Sequence, residues 1–274
     1  MDTIVVSFSG GKTSGLMAKL MKENYIDMGY KNIIFLFANT AQENEKTLQF
    51  VNKCDIKYGL GVVWLEADVV HKQRVGTKHK VVSFETASRN GEPFEDMIKK
   101  FGIPNKHYPH CTRELKQRPI YSYLRSLGLK KGDYHMAIGI RYDEMDRISS
   151  RAKEENIIYP LFRMKITKEK VNNFWNEESF KLDLEEHQGN CKTCWKKSFK
   201  KLDLLVDEDR SQFDFFSKME KIYPYNGPGN HDGPRKFFRG NKSTEDVLKM
   251  GIMRDIEYDL NNGCGESCEV FTDD

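Results

Sequence analysis

Ser7-Phe8-Ser9-Gly10-Gly11-Lys12-Thr13-Ser14 follows directly on the apolar run Thr3-Ile4-Val5-Val6. This order predicts a strand that ends in a glycine-rich turn and opens a helix. Such a turn cradles phosphate. Gly10 and Gly11 have no Cβ, so backbone N–H groups can turn inward; Thr13 and Ser14 add hydroxyls, and the new helix offers its positive N-terminus. The ligand these features predict is a nucleotide. Gly11-Lys12-Thr13 also supplies the last three residues of a Walker P-loop, but that motif needs a glycine where Val6 stands. A glycine pair before a helix can be no more than a tight turn, yet strand, glycines, hydroxyls and helix come here in the order a phosphate site requires.

Working outward, apolar segments at 3–8, 32–38 and 61–67 alternate with helix-like stretches at 13–23 and 43–58. A fourth strand is predicted at 134–140, after a helix around 115–127. The pattern predicts an α/β fold: a doubly wound, mostly parallel sheet of Rossmann-like type with a helical C-terminal appendage. The expected organisation is a nucleotide-binding domain over 1–165, a helical metal-binding appendage over 166–258 with helices near 167–177 and 212–221, and a flexible tail over 259–274. In such sheets ligands sit at the carboxyl ends of the strands, where Ser9-Gly10-Gly11, Asn39-Thr40 and Gly139-Ile140-Arg141 would converge.

The 274 residues suffice for a well-buried core, and a formal net charge of +3 with 31% charged residues does not by itself announce nucleic acid. There is no apolar run of about 18 residues and the start lacks the pattern of a signal peptide, so a cytoplasmic protein without a membrane partner is expected. In that reducing setting the six cysteines are free thiols or metal ligands rather than disulfides.

Three further constellations carry chemistry. Asn39-Thr40 with Glu43 reads either as part of a nucleotide loop or as a capping box in which Thr40 is the N-cap. Gly139-Ile140-Arg141-Tyr142-Asp143-Glu144 with Arg147 offers a guanidinium for phosphate and carboxylates for Mg²⁺, or a plain ion-pair cluster at a helix start. Cys111 and the later Cys191-Lys192-Thr193-Cys194 give three soft donors, which suit a metal. They could hold a [4Fe-4S] cluster with one open iron, or Zn²⁺ completed by His110 or His187. Cys54, alone in a predicted helix, reads as a core residue. The run His231 to Arg239, with Arg235, Lys236, Phe237 and Phe238, reads either as a grip for nucleic acid, extended by Lys196, Lys197, Lys200 and Lys201, or as a solvated face whose aromatics pack inward. Cys264 and Cys268 in the tail invite a persulfide or redox-shuttle reading.

Taken in order, the segments 9–14, 38–43, 111–119 and 139–147 and the pair Cys191 and Cys194 resemble the PAPS-reductase-like proteins of the adenine nucleotide alpha-hydrolase (PP-loop) superfamily. They are most similar to small phage versions and to DNA phosphorothioation sulfurtransferases. The departures are Ala41 for a motif glycine, His110-Cys111 for a paired Cys-Cys, and the missing C-terminal Glu-Cys-Gly-x-His of PAPS reductases. The resemblance implies that Ser7, Ser9, Gly10, Gly11, Lys12, Thr13 and Ser14 hold phosphates, with Asn39, Thr40, Gly139, Ile140 and Arg147 around the nucleotide. Arg141, assisted by Lys116, would offset charge at the α-phosphate, and Asp143 or Glu144 would bind Mg²⁺. It also implies ATP cleavage at the α-phosphate, adenylation of an acceptor and sulfur transfer, with a thiol or persulfide donor protein as partner and nucleic acid as a candidate substrate. The alternatives are a reductase that releases sulfite from phosphoadenylylsulfate, or a binding module without turnover.

Overall fold

The computed structural model describes residues 1–189, 191–228 and 233–250. Along the chain run β1 (Thr3–Ser7), α1 (Lys12–Asn24), β2 (Asn32–Ala38), α2 (Glu45–Tyr58), β3 (Val63–Asp68), β4 (Lys78–Val82) and α3 (Glu92–Phe101). They are followed by α4 (His110–Thr112), a π-helical turn at Arg113–Gln117, α5 (Arg118–Ser126), β5 (Tyr134–Ala137), β6 (Ile157–Ile158), α6 (Pro160–Arg163) and α7 (Lys168–Glu177). The appendage adds α8 (Phe199–Glu208), α9 (Asp214–Ile222) and α10 (Thr244–Lys249).

All five residues of β1 are buried, as a central parallel strand with helices on both faces requires. It pairs in parallel with β2 on one side and β5 on the other. The described sheet has the order β4-β3-β2-β1-β5-β6, and β4 alone runs antiparallel to its neighbour. The fold is therefore the mostly parallel α/β sheet that the apolar spacing predicts. Strand order reverses between β1 and β5, so the loops leaving their carboxyl ends lie side by side at the crevice.

One face of the sheet carries a core built from α1, α2 and α7, in which Trp175 meets Phe50 edge-on at 4.8 Å and donates from its indole N–H to the Lys12 carbonyl at 2.8 Å. Ile120 and Leu124 of α5 cover the other face. A further core joins α3 and Leu115 to α8, α9 and Val247 of α10. Cys54 is fully buried in the first of these cores, as an ordinary packing residue, and burial pushes its thiol pKa far up.

Two local readings are corrected. The cap of α2 is Asn44, whose side chain accepts from the Lys46 N–H, and not Thr40. The helix expected from residue 115 begins at His110 and contains the π turn. An i→i+5 turn brings a residue and the fifth after it to neighbouring positions, a spacing that an apolar periodicity of 3.6 does not reveal. No described helix is long and apolar enough to cross a membrane.

Candidate functional site

The loop after β1 is shaped by its glycines. Gly10 has φ +86°, and a Cβ there would stand 2.6 Å from Thr47 Cγ2 of α2. Gly139, after β5, sits so close that a Cβ would lie 3.3 Å from the Ser14 Cα. Gly11 is the N-cap of α1; no side chain caps it and its first turn has no acidic residue. The first N–H groups of a helix have no acceptor within it, so this end is suited to an anion. The Ser9 hydroxyl donates to Ser14 Oγ at 2.9 Å, and the Ser14 hydroxyl to the Gly11 carbonyl at 3.1 Å, which braces the loop. Ser9, Gly10, Gly11 and Lys12 form one side of a cleft of about 240 Å³. Ser7 is a buried strand residue paired with Leu36.

Arg141 joins the two loops. Its Nη1 donates to Thr13 Oγ1 at 3.2 Å, and its Nε to Asp143 Oδ1, also at 3.2 Å. Asp143 in turn accepts from the backbone N–H of Lys168 at 3.1 Å. Burial raises the Asp143 pKa, but its bonds to Arg141 outweigh this and hold the carboxyl below its ordinary value. Glu144 spends both oxygens on the same framework: Oε2 accepts from the Arg141 N–H at 3.1 Å, and Oε1 pairs with Arg147 Nη1 at 2.5 Å. The fully buried Ile140 side chain belongs to the core, so that residue offers a ligand only its backbone.

Asn39 is fully buried and its amide is used inside the protein, donating to Glu66 Oε1 at 2.7 Å and to the Ser88 carbonyl at 2.8 Å. It fixes the β2–α2 loop. Ala41, in place of the motif glycine, has φ +61°, the left-handed region that favours glycine. Ala41→Val adds β-branching to that strained position and should cost about 2–4 kcal/mol by urea denaturation.

The same loop receives the appendage. Thr40 donates from its N–H and hydroxyl to Glu43 at 3.0 and 2.8 Å, and Thr40 Oγ1 lies 3.4 Å from Cys191 Sγ. The Lys192 N–H reaches the Gln42 carbonyl at 2.8 Å. Cys111, Cys191 and Cys194 line one cavity together with Thr40, Lys116 and Trp195. The π turn sets Cys111 and Lys116, five residues apart, on this same wall.

In donor chemistry these thiols suit a soft metal, but the cavity is narrow, about 20 Å³. Among the described residues no group of three or more His, Cys, Asp or Glu is set to hold a metal ion. Neither candidate imidazole lines the cavity: His110 Nε2 pairs with the Gly102 carbonyl at 2.8 Å, and His187 Nε2 with Glu208 Oε1 at 2.5 Å. Burial pushes the His110 pKa down to about 4.

The basic and aromatic run is corrected as a stacking surface. Phe237 and Phe238 are buried, Phe237 stacks on Phe216 with centroids 3.7 Å apart, and Arg235 donates to the Phe101 and Pro228 carbonyls. Lys197 is likewise buried and donates to the His187 and Gly189 carbonyls. His231, Cys264 and Cys268 lie outside the described residues.

Residues 3–90, which contain the glycine loop and the β2–α2 loop, match the model of the phosphoadenosine phosphosulfate reductase domain. Over those residues the chain is similar to that domain. The chain is 28% identical over 288 residues to the uncharacterized nin region protein ORF290 of Escherichia phage lambda, covering 97% of this chain and 94% of that one. It is 30% identical to the uncharacterized protein MJ0973 of Methanocaldococcus jannaschii over 122 residues, 44% of this chain but only 23% of that protein. A solved PAPS reductase from Candida auris, in a phosphate complex, aligns over 67% of this chain and 75% of its own at 14% identity and a TM-score of 0.39.

Part of the lining of the cleft beside the glycine loop was not legible in the sequence. Lys168, Asn172, Glu185, Glu186 and Gly189 complete its lining, and α7 brings Lys168 and Asn172 there because its apolar face packs Trp175 against α1 and α2. The signal in the sequence was indirect, namely Thr167 as the N-cap that places Lys168 first in α7.

Proposed function

We propose that this protein binds ATP with its phosphates on the 9–14 loop, cleaves it at the α-phosphate, and couples adenylation of an acceptor oxygen to sulfur transfer. The observation that carries the proposal is the hydrogen bond from Arg141 to Thr13, because it fixes a buried guanidinium at the uncapped end of α1, within the loop that takes phosphate. The acceptor oxygen attacks the α-phosphorus and the bond to the bridging oxygen breaks, so charge develops on the leaving pyrophosphate and on the α-phosphoryl oxygens. Backbone N–H groups of the loop, the Thr13 hydroxyl and Arg141 are placed to stabilise it. Asp143, at the edge of this cluster, is the better of the two carboxylates for Mg²⁺, since Glu144 is occupied with Arg141 and Arg147. Glu144 acts as the support of Arg141.

The outer sulfur of a persulfide on a donor protein would then displace AMP from the activated acceptor; Cys191 would attack the resulting S–S bond to the donor, and a second thiol of Cys111 or Cys194 would release the donor thiol, leaving the sulfur on the acceptor and a disulfide that an external dithiol reduces. Cys111, Cys191 and Cys194 are the residues that would hold a [4Fe-4S] cluster, which would supply an open iron for sulfide, or Zn²⁺. No step above depends on it. Iron, sulfide and zinc analysis of anaerobically purified protein distinguishes the two. Cys191→Ser should abolish sulfur transfer and leave pyrophosphate release intact, as read by separate assays of the two products.

The reductase reading is tested in the same vessel. Anaerobic protein with Mg²⁺ is given ATP or phosphoadenylylsulfate with a dithiol, and AMP, pyrophosphate and sulfite are measured. Pyrophosphate and AMP from ATP support the proposal, sulfite transfers it to the reductase, and binding of both nucleotides without product leaves a binding module.

A further inference from the structure

Glu186 lines the same cleft as the glycine loop, with its carboxylate between two ammonium groups. Lys168 Nζ stands 3.0 Å from Oε2 and Lys201 Nζ 2.9 Å from Oε1. Lys12 and Lys168 both line the cleft with Gly10 and Gly11, and Asn172 follows Lys168 by four residues on the same face of α7. The backbone of Lys168 is anchored by Asp143, and through Asp143 and Arg141 to Thr13 of the loop. The position of Lys168 is therefore set by the phosphate loop itself, while its ammonium is held by an anion from the appendage.

We infer that Lys168 is a second pyrophosphate-binding lysine of this site, and that Glu186 is the internal anion which the pyrophosphate moiety displaces from it. This rests on the nucleotide reading above and deepens it by assigning the leaving group its own subsite. Two physical points support the exchange. The Lys168–Glu186 pair is about half exposed on each side, and exposed pairs of that kind are held weakly. A pyrophosphate, with more charge and more acceptor oxygens than one carboxylate, makes stronger charge-assisted bonds to the same ammonium. Glu186 keeps Lys201 when it gives up Lys168, so its charge is not left alone. Its carboxyl pKa is held down to about 2, chiefly by Lys201, so it is ionised throughout the neutral range. The exchange also links the phosphate cleft to the segment that leads through Gly189 to Cys191.

The probe is inorganic pyrophosphate, titrated calorimetrically into the full-length protein, with inorganic sulfate as the comparison anion. Lys168→Gln should weaken pyrophosphate about tenfold and Lys168→Arg should restore most of it, the loss of one charge-assisted bond. Glu186→Gln should tighten it severalfold, because the competing anion is gone, and sulfate should respond much less to all three. Both side chains are at the surface of the cleft, and thermal melts check that the variants fold. Pyrophosphate binding unchanged in Lys168→Gln, or weakened by Glu186→Gln as much as by Lys168→Gln, overturns the inference and makes the pair a simple structural tie. Wild-type protein that binds neither pyrophosphate nor ATP overturns the nucleotide reading instead.

Discussion

Arg141→Ala should lower turnover of ATP to AMP and pyrophosphate about a hundredfold to a thousandfold, the size of effect seen when one preorganised donor to a developing oxyanion is removed. The cost in folding should be smaller, about 1–3 kcal/mol, because Asp143 is 38% exposed and can return to water when its partner is lost. The Arg141 backbone N–H, which Glu144 accepts, is unchanged by the substitution. Arg141→Lys separates the two roles: it keeps the charge and loses the fork that reaches Thr13 and Asp143 together. Its stability should approach that of wild type while turnover stays low. Equal loss of activity and stability in both variants would reduce Arg141 to a structural tie between the loops.

The second large effect is expected at Gly10. Alanine there must adopt φ +86° and bring its Cβ within 2.6 Å of Thr47 Cγ2, with Phe37 and Val51 atoms at 3.3 Å on the other sides. Left-handed backbone costs an L-residue about 1–2 kcal/mol and forced overpacking about 1–3, so Gly10→Ala should lose about 2–5 kcal/mol by denaturant unfolding, and with it nucleotide binding. Adding Thr47→Ser removes the offending methyl but leaves the backbone strain. The double variant should therefore recover roughly half of the lost stability. No recovery would mean that the positive φ alone dictates glycine at this position.

These two residues mark the part of the site that was legible in the sequence. A strand, two glycines and a helix are local, and the physical reason for each is within a few residues of it. The segment 139–147 was legible as a motif, and the sheet explains its meeting with Thr13: β5 pairs with β1, so their carboxyl-terminal loops are neighbours. What was not legible depends on packing between distant segments. β4, Lys-His-Lys-Val-Val, is a polar edge strand without a continuous apolar run. Phe237 and Phe238 could have stacked on bases or on a core, and what decides is Phe216, more than twenty residues earlier. Lys168 and Glu186 carry no motif; α7 and the loop after it bring them to the cleft. Thr40 was read as a cap because its Glu43 stands three residues on, and that carboxylate does return to Thr40, but the helix starts after Asn44.

The cysteines show the same limit from the other side. Sequence order put Cys111 with Cys191 and Cys194, and the three do line one cavity, brought there by the π turn and by the docking of residues 191–192 on the β2–α2 loop. The segment that carries Cys191 is held on the β2–α2 loop by the contacts Lys192 to Gln42 and Cys191 to Glu43. Neither contact has a signature in the sequence.

The site of bond cleavage in ATP tests the central claim most directly. Phosphorus-31 NMR of the anaerobic protein with Mg²⁺, ATP and the candidate acceptor distinguishes the two outcomes in one spectrum. A growing pyrophosphate signal with AMP or an adenylated acceptor is the predicted result, since the proposed function has the loop, Thr13 and Arg141 act on the bond between the α- and β-phosphates. ADP with inorganic phosphate, formed by the purified protein and lost in Arg141→Ala, would contradict it and place the chemistry at the γ-phosphorus.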